Sequence, residues 1–110
     1  MSTRSNSVET GAAGHRSVVV GLGATGLSCV RHLMRAGESV VVTDSRSAPP
    51  GLAAMSVEFP QVRVVTGGFD PALLEGADRI VVSPGVSDEE PFIDQARARG
   101  LEVLGDIELF

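Results

Sequence analysis

The strand-like run Ser17-Val18-Val19-Val20 passes with no spacer into Gly21-Leu22-Gly23-Ala24-Thr25-Gly26, and an apolar helical pattern follows at once. A lone GxGxxG is weak evidence, but between a strand and a helix it demands a specific backbone. Gly21 permits the tight turn, Gly23 lets a diphosphate approach the chain, and Gly26 lets the helix pack closely on the sheet. The amides at the helix start, those of Ala24 and Thr25 above all, then face an anion with the helix dipole behind them. The alternative is a glycine turn that binds nothing.

Four more β-branched runs recur along the chain: Ser39–Thr43, Val62–Thr66, Arg79–Ser83 and Leu101–Leu104. The runs at Val18 and Val40 are almost continuously apolar, as strands covered on both faces of a parallel sheet are. Helix-length stretches separate them. Thr25 to Ala36 carries Leu27, Val30, Leu33 and Met34 on one face, and Gly37 stops it. Asp70-Pro71 reads as an N-cap with proline at the first helical position, closed by Gly76. Ala48-Pro49-Pro50-Gly51 forces a loop, after which Leu52 to Glu58 forms a short helix. The last helix spans about Pro91 to Arg99. Its start is open between a Ser87/Glu90 capping box and Pro91 in the first turn. Strands alternating with helices imply right-handed crossovers and an α/β, Rossmann-like, doubly wound sheet of five parallel strands in order 3-2-1-4-5.

Composition excludes several chemistries. All cationic side chains are arginine, so a phosphate-loop lysine, a Schiff-base lysine and a carbamylated lysine are absent from the 110 residues. Cys29 is the only cysteine, which leaves no intrachain disulfide and no cysteine-based zinc cluster. The net charge of −5 and the lack of a basic stripe argue against a nucleic-acid partner. The longest apolar runs are far shorter than a membrane span, and the N-terminus has no apolar core of a signal peptide. The expectation is a soluble, cytoplasmic monomer with a mobile polar lead-in over 1–15 and one domain over 16–105.

Asp44 closes the second strand, eighteen residues after Gly26. A carboxylate at that place binds a ribose hydroxyl in dinucleotide folds. Ser45 and Arg46 edge the same crevice, where Arg46 is suited to stack on a base or contact a phosphate; a plain polar turn is the alternative. Ser83-Pro84-Gly85 ends the fourth strand beside the point where strand order reverses, and offers little bulk to a flat ring. His15 and His32 read as solvated surface residues and Cys29 as core filler. Asp88-Glu89-Glu90 reads as a helix-start charge patch rather than a metal cluster. From these residues alone a free-standing NAD(H)-binding regulatory or oxidoreductase module stays open beside other nucleotide-binding readings.

Taken together, Gly21–Ser28, Asp44-Ser45-Arg46 with Pro49-Pro50, Ser83-Pro84-Gly85 and the ending Gly105-Asp106-Ile107-Glu108-Leu109-Phe110 resemble the N-terminal domain of the UDP-N-acetylmuramoyl-L-alanine:D-glutamate ligases, of the Mur ligase family. The resemblance covers residues 16–110. It implies a three-domain, ATP-dependent cytoplasmic enzyme of peptidoglycan synthesis that activates its UDP-sugar substrate as an acyl phosphate for attack by D-glutamate. It further implies that this chain holds the UDP end of UDP-N-acetylmuramoyl-L-alanine. Gly21, Gly23, Ala24, Thr25 and Gly26 would then lie at the diphosphate, with Asp44, Ser45 and Arg46 on one side of the uracil and Ser83, Pro84 and Gly85 on the other. ATP, magnesium and the catalytic residues would belong to the parent's central domain, toward which 106–110 would lead. The chain alone would bind no cofactor and catalyse nothing.

Overall fold

A computed structural model of the chain describes residues 15–87 and 89–109. The elements run β1 (Arg16–Val20), α1 (Ala24–Arg35), β2 (Ser39–Asp44), α2 (Leu52–Glu58), β3 (Arg63–Thr66), a 3-10 turn (Pro71–Leu74), β4 (Arg79–Val82), α3 (Pro91–Ala98), β5 (Glu102–Gly105) and α4 (Asp106–Leu109). The strands form one sheet in order β3-β2-β1-β4-β5, and all four pairings are parallel. This is the α/β, Rossmann-like, doubly wound order expected from the sequence. The lead-in expected over 1–15 lies outside the described residues apart from His15.

Alternation along the central strands divides the core in two. Val19, Val42 and Val81 face Leu27, Cys29, Val30 and Leu33 of α1 and Met55 of α2. Val18, Val20 and Ile80 face Phe92, Ile93 and Ala96 of α3 and Leu74 of the 3-10 turn. Both faces of β1 are therefore dry over Val18–Val20, which is why that stretch is all valine. Cys29 is 1% exposed, and burial pushes its thiol above the ordinary value, with Asp106 adding to the effect. It is core filler, as its sequence context indicated.

Local signals set the boundaries. Gly37, at φ +79°, follows the last turn of α1 in the left-handed conformation that glycine tolerates. Asp70 accepts the amide of Ala72 at 2.9 Å, but four residues suffice only for a 3-10 turn, not a longer helix. The start of α3 is settled in favour of Pro91 at the first helical position, with Glu90 as the N-cap accepting the Phe92 amide. The capping box reading is corrected: Ser87 caps its own tight turn, its hydroxyl accepting the Glu89 amide at 3.1 Å. The acidic run at this helix start is described only at Glu89 and Glu90, because Asp88 lies outside the described residues. His15 lies 3.9 Å from Asp78 and is 57% exposed, while His32 is half-buried.

Candidate functional site

The carboxyl ends of β1, β2, β3 and β4 open onto one cleft of about 450 Å³. It is lined by all eleven residues picked out from the sequence: Gly21, Gly23, Ala24, Thr25, Gly26, Asp44, Ser45, Arg46, Ser83, Pro84 and Gly85. The volume falls within the range of small-molecule sites. Parallel strands bring these segments together because each ends at the same edge of the sheet.

The glycines of the loop differ in what they need. Gly21 sits at φ +98°, and a side chain there would press within 3.0 Å of Ser83. At Gly26 a Cβ would fall 2.0 Å from the carbonyl oxygen of Gly21. Gly23 has neither constraint: its φ is −104°, and a Cβ would meet nothing within 4 Å. The free volume over Gly23 belongs to the cleft.

The loop is held from every side. Gly21 donates its amide to the Thr43 carbonyl at 2.8 Å, and the Ser83 hydroxyl donates to the Gly21 carbonyl at 3.0 Å. The Gly51 amide donates to the Leu22 carbonyl at 3.0 Å, and the Leu22 amide donates to Asp44 at 2.7 Å. By contrast, no side chain caps the start of α1 and no acidic residue lies in its first turn. Helix-start amides without protein partners suit an anion.

Asp44 takes a different part from the one a dinucleotide fold suggests. Its side chain is 3% exposed. Oδ1 accepts the amide and Nε of Arg46 at 2.8 and 2.9 Å, while Oδ2 accepts the Leu22 amide and Arg46 Nη2 at 2.7 Å each. A carboxylate has about four such sites, and here four donors fill them. Every one of these four donors comes from the protein itself, three of them from Arg46. The Arg46 fork, helped by the Leu22 amide, holds the Asp44 carboxyl down at about 2 against the cost of its burial. The Arg46 side chain itself remains 53% exposed at the cleft wall.

Phe69, Val86, Ser87 and Glu90 also line the cleft and were not among the site residues read from the sequence. Phe69 follows the Gly67-Gly68 pair beyond the end of β3, so the rule that sites lie at strand carboxyl ends was available for it. Val86 and Ser87 simply extend the Ser83-Pro84-Gly85 turn.

The model of the Mur ligase MurD-like, N-terminal domain family matches residues 15–105. The chain belongs to that family. The UDP-N-acetylmuramoylalanine--D-glutamate ligase of Nitrosococcus oceani is 55% identical over 94 residues, covering 86% of this chain and 21% of the relative. The ligase of the same name from Marinobacter nauticus is 52% identical over 95 residues, again 86% of this chain and 21% of the relative. A solved pseudomurein peptide ligase type C from Methanothermus fervidus superposes with a TM-score of 0.72 at 23% identity, over 86% of this chain and 20% of that one, a likeness of fold. The chain thus spans about a fifth of the length of these relatives. Membership of a ligase family leaves the NAD(H)-module reading without support. Among the described residues no helix is long and apolar enough to cross a membrane.

Proposed function

We propose that this domain grips the uridine diphosphate end of UDP-N-acetylmuramoyl-L-alanine for a cytoplasmic, ATP-dependent ligase that adds D-glutamate during peptidoglycan synthesis. The observation that carries the reading is Gly23. Neither its φ nor its neighbours require glycine, and the space a side chain would take is cleft above uncapped helix-start amides. A diphosphate is the ligand that needs both bare amides and room to reach them. Family membership and the names of its relatives supply the uridine nucleotide and the amino acid.

In this reading the Ala24 and Thr25 amides bind the diphosphate, and Ser45, Arg46 and Pro84-Gly85 border the uracil. Asp44 and Ser83 shape the site by holding the loop. The cleft does not fit ATP chemistry: its glycine loop carries no lysine, and the chain has none elsewhere. ATP-dependent activation of the substrate carboxylate, with its magnesium, is accordingly assigned to the parent's other domains, which act with a single copy of this one. The test is Gly23→Val. It should keep its fold, since the new side chain enters open space and valine at the N-cap costs no more than about 1 kcal/mol, and should lose UDP binding. UDP binding equal to the parent's would make the loop merely structural.

A further inference from the structure

One cleft-lining side chain is aromatic, and its placement is unusually well determined. Phe69 follows Gly67 and Gly68, whose φ values of +84° and +158° turn the chain back toward β2. The Gly67 amide donates to the Arg46 carbonyl at 3.0 Å, the Gly68 amide to the Asp44 carbonyl at 3.3 Å, and the Thr43 hydroxyl to the Gly68 carbonyl at 3.2 Å. Three hydrogen bonds thus fix Phe69 relative to the Asp44–Arg46 wall. Behind it lies Phe92, 2% exposed, with ring centroids 5.6 Å apart and planes tilted by 36°. Phe69 is half-buried: it packs against the second core and also lines the cleft, whose walls are polar and apolar in about equal measure.

We propose that Phe69 is a further base-binding residue, the apolar floor against which the base of the bound nucleotide packs. An apolar ring left at the edge of an open cleft is stabilised when a flat ligand removes it from water. A nucleobase offers such a face, and stacking on an aromatic side chain needs no hydrogen-bond match. The division of labour follows: helix-start amides take the diphosphate, the Arg46 side takes the ring's polar edge, and Phe69 takes the ring's face. The inference rests on the nucleotide-binding reading above, and the experiment separates the two.

The chain has no tryptophan and no tyrosine, so Phe69→Trp introduces a single strong emitter into it. UDP and UMP should quench that emission, whereas inorganic pyrophosphate, which has no base, should leave it unchanged. Phe69→Leu preserves apolar filling against Phe92 but removes the aromatic face. It should weaken UDP binding by about 5- to 10-fold, followed by amide shifts, while pyrophosphate binding stays at the parental value. An equal loss for UDP and pyrophosphate would reduce Phe69 to a structural prop and overturn the proposal. So would parental UDP affinity in Phe69→Leu, or emission unchanged at UDP concentrations that saturate the amide shifts. Gly23→Val judges the nucleotide reading separately: if it binds UDP like the parent, that reading fails before Phe69 is considered.

Discussion

The two ends of the sheet each carry a carboxylate–arginine pair, and they finish it differently. At the amino ends of the strands, Arg79 of β4 meets Glu38 through Nη2 and the Ser17 hydroxyl oxygen through Nε at 3.0 Å. The Ser17 hydroxyl in turn donates to Glu38 at 2.8 Å. Arg79 is 16% exposed and Glu38 8%, so the network is largely shielded from water. At the carboxyl ends the Asp44 carboxylate accepts four donors to the two on Glu38, yet its arginine stays 53% exposed beside uncapped helix amides. The same chemistry serves as a clasp at one end and as a half-open wall at the other. What distinguishes a site from a scaffold here is the donors left over, not the presence of a charged pair.

Breaking the closed end should cost the most stability and the least binding. Arg79→Met leaves Glu38 buried without its cation, so denaturant melts should show a loss of about 3–5 kcal/mol. UDP affinity should be unchanged under conditions where the variant is folded, and a loss of affinity in step with stability would erase the contrast between the ends. At the open end, Gly26→Ala forces a methyl to 2.0 Å from the Gly21 carbonyl, so the loop must shift. About 1–3 kcal/mol of stability and UDP binding should fall together, by the same melts and titrations. This coupled loss is the counterpart of Gly23→Val, where binding should fall with little loss of stability.

Acid sharpens the comparison further. The folded Asp44 carboxyl sits near 2, below its ordinary 3.8, so between those values the unfolded chain binds the proton that the native state refuses. The stabilisation is fully present above about pH 4 and is lost as pH falls toward 2, amounting to about 2 kcal/mol. Asp44→Asn should flatten that part of the stability–pH curve; an unchanged curve would mean that the fork contributes nothing. The smallest effect is expected from the pair away from both ends. Arg31 and Glu58 are 39% and 36% exposed, so Arg31→Ala should cost no more than about 1 kcal/mol, read from the same melts.

The sheet order was legible because the cues were local and redundant: valine-rich runs, glycine stops and proline-marked helix starts all agreed. The eleven cleft residues were legible for a related reason, since parallel strands deliver whatever follows them to one edge. The roles of those residues were harder to see. That a carboxylate stands at the end of β2 follows from sequence, but its saturation depends on Arg46 folding back two residues later. Phe69 was hidden because only the left-handed turn at Gly67 carries it back over β2. Sequence placed Glu90 at the start of the last helix, as a capping-box partner or part of a charge patch, but that it is itself the N-cap depends on Pro91 taking the first helical position.

The central claim, that the open end of the sheet is built for a uridine diphosphate ligand, is tested most directly by mapping backbone amide shifts during titration. With UDP-N-acetylmuramoyl-L-alanine, the amides of Ala24, Thr25, Ser45, Arg46 and Gly85 should move together and saturate together, while those of Ser17, Glu38 and Arg79 stay still. NAD should move the same set weakly or not at all, because a site that hydrogen-bonds one ring leaves groups unpaired when offered another, at roughly 1–3 kcal/mol for each buried one. NAD shifting this set at lower concentration than the UDP-sugar would contradict the account.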